Sequence, residues 1–229
     1  MWRGGEDLMV AAKVKGDHRI FNCVLAGTAG QGVITIKRLL EFAAQEAGYE
    51  ECFGSEMHGL AQREGAISSH VRLQRIISPN PRENIQAPTI CYGDADLVLG
   101  FEPVEVLRSG VFLAAKTKFV INDRTIQPIL VNAGKEEYPS LEKIEEIVRG
   151  YTKDYIFLPA TQLAIEQLGD AQKMNLIILG VAFGAGWIPH ISIENCEKVI
   201  CRELRDSDLN LRALNIGIEF GTRTISRNK

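Results

Sequence analysis

Residues 20–26 form a short apolar run with β-branched and aromatic members, and they lead directly into Gly27-Thr-Ala-Gly-Gln-Gly32. Apolar side chains then recur at Val33, Ile36, Leu39, Leu40, Ala43, Ala44 and Ala47, the spacing of one helix face, until Gly48 offers a C-terminal stop. A strand, a glycine turn and a helix in that order restrict the chain to an α/β architecture. A run apolar on both faces belongs in a buried, mostly parallel sheet. The turn brings backbone N–H groups and the positive end of a helix dipole towards one point, which suits an anion. Gly27, Gly30, Gln31 and Gly32 are therefore candidate anion- or cofactor-binding residues. The alternative is a tight turn that only packs helix on strand. The glycines fall as G-x-x-G-x-G, whereas the dinucleotide fingerprint is G-x-G-x-x-G, so nicotinamide binding is a weak reading.

The rest of the chain repeats the alternation. Strands are expected at residues 49–53, 66–73, 97–101, 118–122 and 155–158, and helices at 103–109, 140–148, 160–168, 175–187 and 192–202, the last taken as the final helix. Residues 78–88, with prolines at 79, 81 and 88, make an irregular segment. The expected fold class is α/β, a Rossmann-like open and mostly parallel sheet with helices on both faces. Residues 18–229 read as a single domain, and residues 1–17 as a mobile N-terminal extension without the apolar stretch of a signal peptide.

Composition narrows the function classes. At 45% hydrophobic and 24% charged residues, 229 residues can bury a substantial core. A formal net charge of -3 and the lack of a basic run speak against nucleic acid. No apolar run reaches the roughly 18 to 20 residues of a membrane span, and the nearest, 176–188, is broken by glycines. Five cysteines, an odd number without paired spacing, fit a reducing cytoplasm and core positions better than a disulfide framework or a metal site.

Residues 54–72, Gly-Ser-Glu-Met-His-Gly-Leu-Ala-Gln-Arg-Glu-Gly-Ala-Ile-Ser-Ser-His-Val-Arg, gather carboxylates, two imidazoles, an amide and two guanidiniums beside an expected strand. Loops held by a rigid scaffold aim polar groups without burying them in the core, so this stretch reads as a site loop. Glu56, His58, Gln62 and Arg63 are its candidate residues. His58 and His70 with Glu56 match no metal motif. Gly93-Asp94-Ala95 resembles the start of a thiamine motif whose remainder is replaced by an apolar strand, so Asp94 and Asp96 mark a turn. Neither a G-x-S-x-G nor a Walker sequence is present. The chain carries no recognisable catalytic set of its own.

Taken together, Gly27-Thr-Ala-Gly-Gln-Gly-Val33, the stretch from Ser55 to Arg63 ahead of Ser69-His-Val-Arg72, Gly93-Asp-Ala-Asp-Leu-Val-Leu with Glu102-Pro103, Asn175 and Leu209-Asn-Leu-Arg-Ala-Leu214 resemble the γ-type domain of 2-oxoacid:ferredoxin oxidoreductases, most closely its indolepyruvate branch. The likeness runs from about residue 20 to residue 217. It implies a Rossmann-like subunit packed on an α subunit that carries thiamine diphosphate and iron–sulfur clusters. The complex oxidatively decarboxylates a 2-oxoacid, here indolepyruvate or another aryl pyruvate, forms an acyl-CoA from coenzyme A and reduces ferredoxin. The family loop usually continues from Gln-Arg into two glycines, whereas this chain has Glu64 and then Gly65. The alternatives are a stand-alone nucleotide-binding Rossmann protein and an assembly module without the activity.

Overall fold

The computed structural model describes residues 18–58 and 65–227. Six strands, β1 (Ile20–Thr28), β2 (Glu51–His58), β3 (Ala66–Gln74), β4 (Leu97–Gly100), β5 (Lys118–Asn122) and β6 (Tyr155–Leu158), form one sheet in the order β2-β3-β1-β4-β5-β6. β1, β4, β5 and β6 are parallel, with Cys23 opposite Leu97, Leu97 opposite Lys118 and Phe119 opposite Tyr155. β3 runs antiparallel to both β1 and β2, so the sheet ends in a hairpin edge. The helices are α1 (Val33–Glu46), α2 (Pro103–Arg108), α3 (Ile129–Asn132), α4 (Leu141–Tyr151), α5 (Ala160–Leu168), α6 (Met174–Gly184), α7 (Ile193–Glu203) and α8 (Ser207–Arg227).

Alternation along β1 divides the core. Cys23 and Leu25, with Leu97, Leu99 and Val71, face a layer containing α1, α5, α6, α7 and α8. Val24 and Ala26, with Val98, Phe119 and Ile121, face Val106 of α2, Phe112 and Val148 of α4. Helices on both faces make these strands fully buried, which is why they read as apolar runs. Local signals set the helix starts. The Ser140 side chain accepts from the Lys143 N–H, and Ser192 forms a reciprocal capping box with Asn195.

Two expectations change. The site loop expected from residue 54 does not start there, because β2 continues to His58 and pairs with β3 until His58 lies opposite Ile67. Ladder hydrogen bonds outweigh the local polarity of Gly54 to His58, and only the residues after 58 remain to turn the chain. Residues 192–202 are not the final helix either. The 21 residues of α8 follow, and their inner face fits α6 through glycine. Gly180 and Gly184 on α6 lie against Gly217 and Gly221 on α8. A Cβ at these four positions would overlap the carbonyl oxygens of Leu214, Ile218, Ile177 and Val181 respectively. The two backbones therefore meet where any side chain would hold them apart. The expected extension at residues 1–17 lies outside the described residues.

Candidate functional site

The glycine turn stands at the carboxyl end of β1, and its glycines do different jobs. Gly30 has φ +91° and open space around its Cα, whereas Gly32 has φ +78° and the Asn175 amide packed where a Cβ would go. Gly27 leaves room for the Gln31 side chain and Phe101. Gln31 folds back over the turn, its Oε1 accepting from the Thr28 N–H (2.7 Å) and its Nε2 donating to the Phe101 carbonyl (3.0 Å). Gln31 is thus a brace that holds the turn to the end of β4. Gly32 occupies the N-cap of α1 without a side-chain cap, so the helix's first N–H groups receive no oxygen from that residue.

The ends of β2 and β3 that flank residues 59–64 adjoin the same edge. Thr28 pairs with Ala66, and the Ala29 N–H donates to the Gly65 carbonyl (3.0 Å), tying the glycine turn to the residue where the tip rejoins the described chain. Of the four site residues expected there, Glu56 lies on β2, its Oε1 2.8 Å from the Lys37 ammonium of α1. His58 closes β2, while Gln62, Arg63 and the unusual Glu64 lie outside the described residues. Among the described residues, the pairing of β2 with β3 and of β3 with β1 brings His58 to the same end of the sheet as the glycine turn.

Between the turn and α5 lies a cleft of about 230 Å³ lined by Thr28, Gly30, Gln31, Arg124, Thr161 and Met174, among others. Two polar groups at this cleft lack protein partners among the described residues. The Thr28 hydroxyl is buried without a hydrogen-bond partner, and the exposed Arg124 has no ion-pair partner among the described residues. Neither was singled out from the sequence, although Arg124 lies two residues past the carboxyl end of β5, where ligands of open α/β sheets bind. Asn122 fixes the cleft floor, donating to Phe101 O (3.2 Å) and Thr161 Oγ1 (3.0 Å) while accepting from the Thr161 N–H (3.2 Å). Beside it Glu102, 1% exposed, caps α2 by accepting from the Glu105 N–H (3.0 Å) and also accepts from the Tyr138 hydroxyl (2.5 Å) and the Ile126 N–H (3.2 Å). Burial, reinforced by that carboxylate, pushes the Tyr138 hydroxyl well above its ordinary pKa.

Other motif residues are structural. Arg72 donates from Nε to Asn22 Oδ1 (2.9 Å) and from a terminal nitrogen to Ala87 O (2.8 Å), stapling the proline-rich segment onto the sheet. His70 accepts from the Ile90 N–H at Nδ1 (3.0 Å), and its ring meets Phe112 edge-on at 4.5 Å. Burial, with the Arg72 charge nearby, pulls its pKa down to about 4. Asp96 accepts from the Asn22 N–H (2.9 Å) and pairs with Arg19 (2.7 Å), so the Gly93-Asp-Ala-Asp96 run is a clamp, as expected of a turn. Burial raises the thiol of Cys23, and that of Cys196 to about 12. Among the described residues no cluster of three or more His, Cys, Asp or Glu could hold a metal ion, and no helix is long and apolar enough to cross a membrane.

A doubly wound sheet with a glycine turn and a polar cleft at the carboxyl ends of its strands defines a Rossmann-like α/β class. Within that class the chain belongs to the pyruvate ferredoxin/flavodoxin oxidoreductase family, whose model matches residues 22–220. It is similar to indolepyruvate oxidoreductase subunit IorB from Archaeoglobus fulgidus, 35% identical over 198 residues, covering 86% of this chain and 92% of that one. The subunit of the same name from Pyrococcus horikoshii is 33% identical over 202 residues, covering 87% and 95%. Among solved structures, the γ subunit of a keto/oxoacid ferredoxin oxidoreductase from Geobacter sulfurreducens shares the fold with TM-score 0.63 at 16% identity, over 89% of this chain and 99% of that one. A 2-oxoglutarate:ferredoxin oxidoreductase from Magnetococcus marinus, solved with coenzyme A bound, also gives 0.63 at 15% identity, over 90% of this chain and 31% of the longer one.

Proposed function

We propose that this chain acts as the subunit of a 2-oxoacid:ferredoxin oxidoreductase that holds neither thiamine nor clusters, and that its part in the reaction is to bind the anionic end of coenzyme A at the glycine-turn cleft. The chain is an oxidoreductase subunit by family; the assignments of substrate, cofactors and partner rest on the family names and on the chemistry of its residues. An α subunit would hold thiamine diphosphate and iron–sulfur clusters, which would supply the decarboxylation chemistry and the electron transfer to ferredoxin. The 2-oxoacid is indolepyruvate or another aryl pyruvate, and the complex works in the cytoplasm. What supports a binding role is the cleft itself, where a helix start without a side-chain cap, the unpartnered Thr28 hydroxyl and Arg124 share one edge. A guanidinium fork and backbone N–H groups match phosphate oxygens.

The hairpin tip takes the side nearest the partner. Arg63 holds an anionic group there, with Gln62 and His58 as neutral hydrogen-bonding partners, while Glu56 anchors the approach through Lys37. Water exclusion by the partner surface strengthens such contacts. The test is co-expression of the two subunits with Arg124→Ala or Arg63→Ala. Arg124→Ala raises the KM for coenzyme A about tenfold with kcat little changed, because it removes binding common to ground and transition states. Arg63→Ala lowers turnover about tenfold, equivalent to roughly 1.4 kcal/mol in the barrier. An assembled Arg124→Ala complex with wild-type KM for coenzyme A sinks the cleft assignment, and wild-type turnover with Arg63→Ala removes the tip.

A further inference from the structure

At the other end of the strands, where β1 and β5 begin and β3 ends, a second cavity of about 190 Å³ is walled by the buried aromatic side chains of Phe21, Tyr49 and Trp187 and rimmed by Arg19, Arg75, Lys116, Lys118 and His190. Among the described residues, its cations are unequally matched by carboxylates. Asp96 lies 2.7 Å from Arg19 and 3.1 Å from Lys116, and Asp94 lies 2.7 Å from Lys116, so those two cations are matched by two carboxylates. Arg75 and Lys118 have no carboxylate within ion-pair distance among the described residues. The Arg75 guanidinium meets His190 Nδ1 at 3.2 Å, and since it can only donate, that nitrogen is the acceptor. The Lys118 ammonium stands over the Trp187 ring, 5.8 Å from its centroid.

The loop after α6 is shaped to close this cavity. Gly186 has φ +69°, and His190 holds φ +54°, a value unusual for a residue with a side chain. The Tyr49 hydroxyl donates to the Pro189 carbonyl (2.6 Å), pinning the loop across the edge of the sheet. Two cationic groups without carboxylate partners, a planar fork and a compact ammonium, facing one concave space between aromatic walls call for a ligand that is both dianionic and partly apolar. A monocarboxylate would leave one cation unmatched. An acidic protein surface would not fill a concavity of this size, and drug-sized ligands occupy sites from roughly 300 Å³ upward.

We propose that this cavity binds a small organic phosphate monoester, its phosphate between Arg75 and Lys118 and its body against Tyr49 and Trp187. The experiment is calorimetric titration of the purified two-subunit complex with phenyl phosphate, repeated with Arg75→Gln and Lys118→Gln complexes whose turnover and thermal midpoint match wild type. The expected result is saturable binding that weakens about tenfold in each variant, the loss of one charge-assisted contact. Inorganic phosphate and phenylacetate, each lacking one half of the recognised chemistry, bind more weakly than phenyl phosphate. The proposal is overturned if wild type does not bind, if both variants bind as wild type does, or if inorganic phosphate or phenylacetate binds as tightly. Because neither variant touches the glycine-turn cleft, the outcome is independent of the coenzyme A assignment.

Discussion

His70 offers a test of the packing on the α2 and α4 face of the sheet. It is fully buried, and its Nδ1 is committed to the Ile90 N–H, so the folded protein holds the ring neutral down to about pH 4 against an ordinary 6.5. The folded pKa lies below the unfolded one. The unfolded chain therefore binds the extra proton first as pH falls, and stability is lost between about 6.5 and about 4, then levels off. Two and a half units at about 1.36 kcal/mol each give about 3 kcal/mol by pH 4. In His70→Gln the amide oxygen can still accept from the Ile90 N–H, but no proton is taken up. Urea unfolding of both proteins at half-unit steps from pH 7 to 4 measures the effect. Wild type is expected to lose about 3 kcal/mol more than the variant across that window. Parallel curves refute the reasoning, as does a His70 ring that titrates near 6.5 by NMR in the folded chain.

Further outcomes follow from the backbone contacts. Gly217→Val, which forces a side chain into the Ile177 carbonyl, should cost at least about 3 kcal/mol in chemical unfolding. Gly30→Ala should cost about 1 kcal/mol, the strain of a left-handed residue alone, and Gly32→Ala distinctly more because Asn175 must also move; equal losses would show that the Asn175 contact is unimportant. Asn122→Ala strips three hydrogen bonds from the cleft floor and should cost about 2 to 3 kcal/mol, read from the same unfolding curves.

The sequence made the architecture legible where one residue type has one dominant physical use. Apolar runs announced the strands buried on both faces, Ser140 and Ser192 announced helix starts, and Gly48 (φ +79°) lies just past the end of α1 as expected. It misled where pairing outweighs composition: Gly54 to His58 read as a loop because they are polar, yet an edge strand needs only one covered face. α8 was missed because four of its inward residues, Asn210, Ala213, Gly217 and Gly221, are small or polar. Their fit to α6 is a matter of shape between elements distant in sequence. Gln31, a candidate contact by its place in the glycine turn, lines the cleft and also braces Thr28 and Phe101, a role its sequence position does not reveal. Arg124 and Thr28 became candidates only once folding had set them side by side at the cleft.

The two faces of the sheet also differ in when they can be finished during synthesis. The side covered by Val106, Phe112 and Val148 is encoded before β6, so its layer can close while the C-terminal third is still being translated. The opposite side draws on α6, α7 and finally Ala213 and Leu214 of α8. Until those residues leave the ribosome, Leu25, Leu97 and Leu99 are covered at most in part by α1 and α5, a greasy surface open to chaperones and to other nascent chains. The hydrophobic layer beneath the glycine-turn cleft is thus sealed last, by the helix at the far end of the chain.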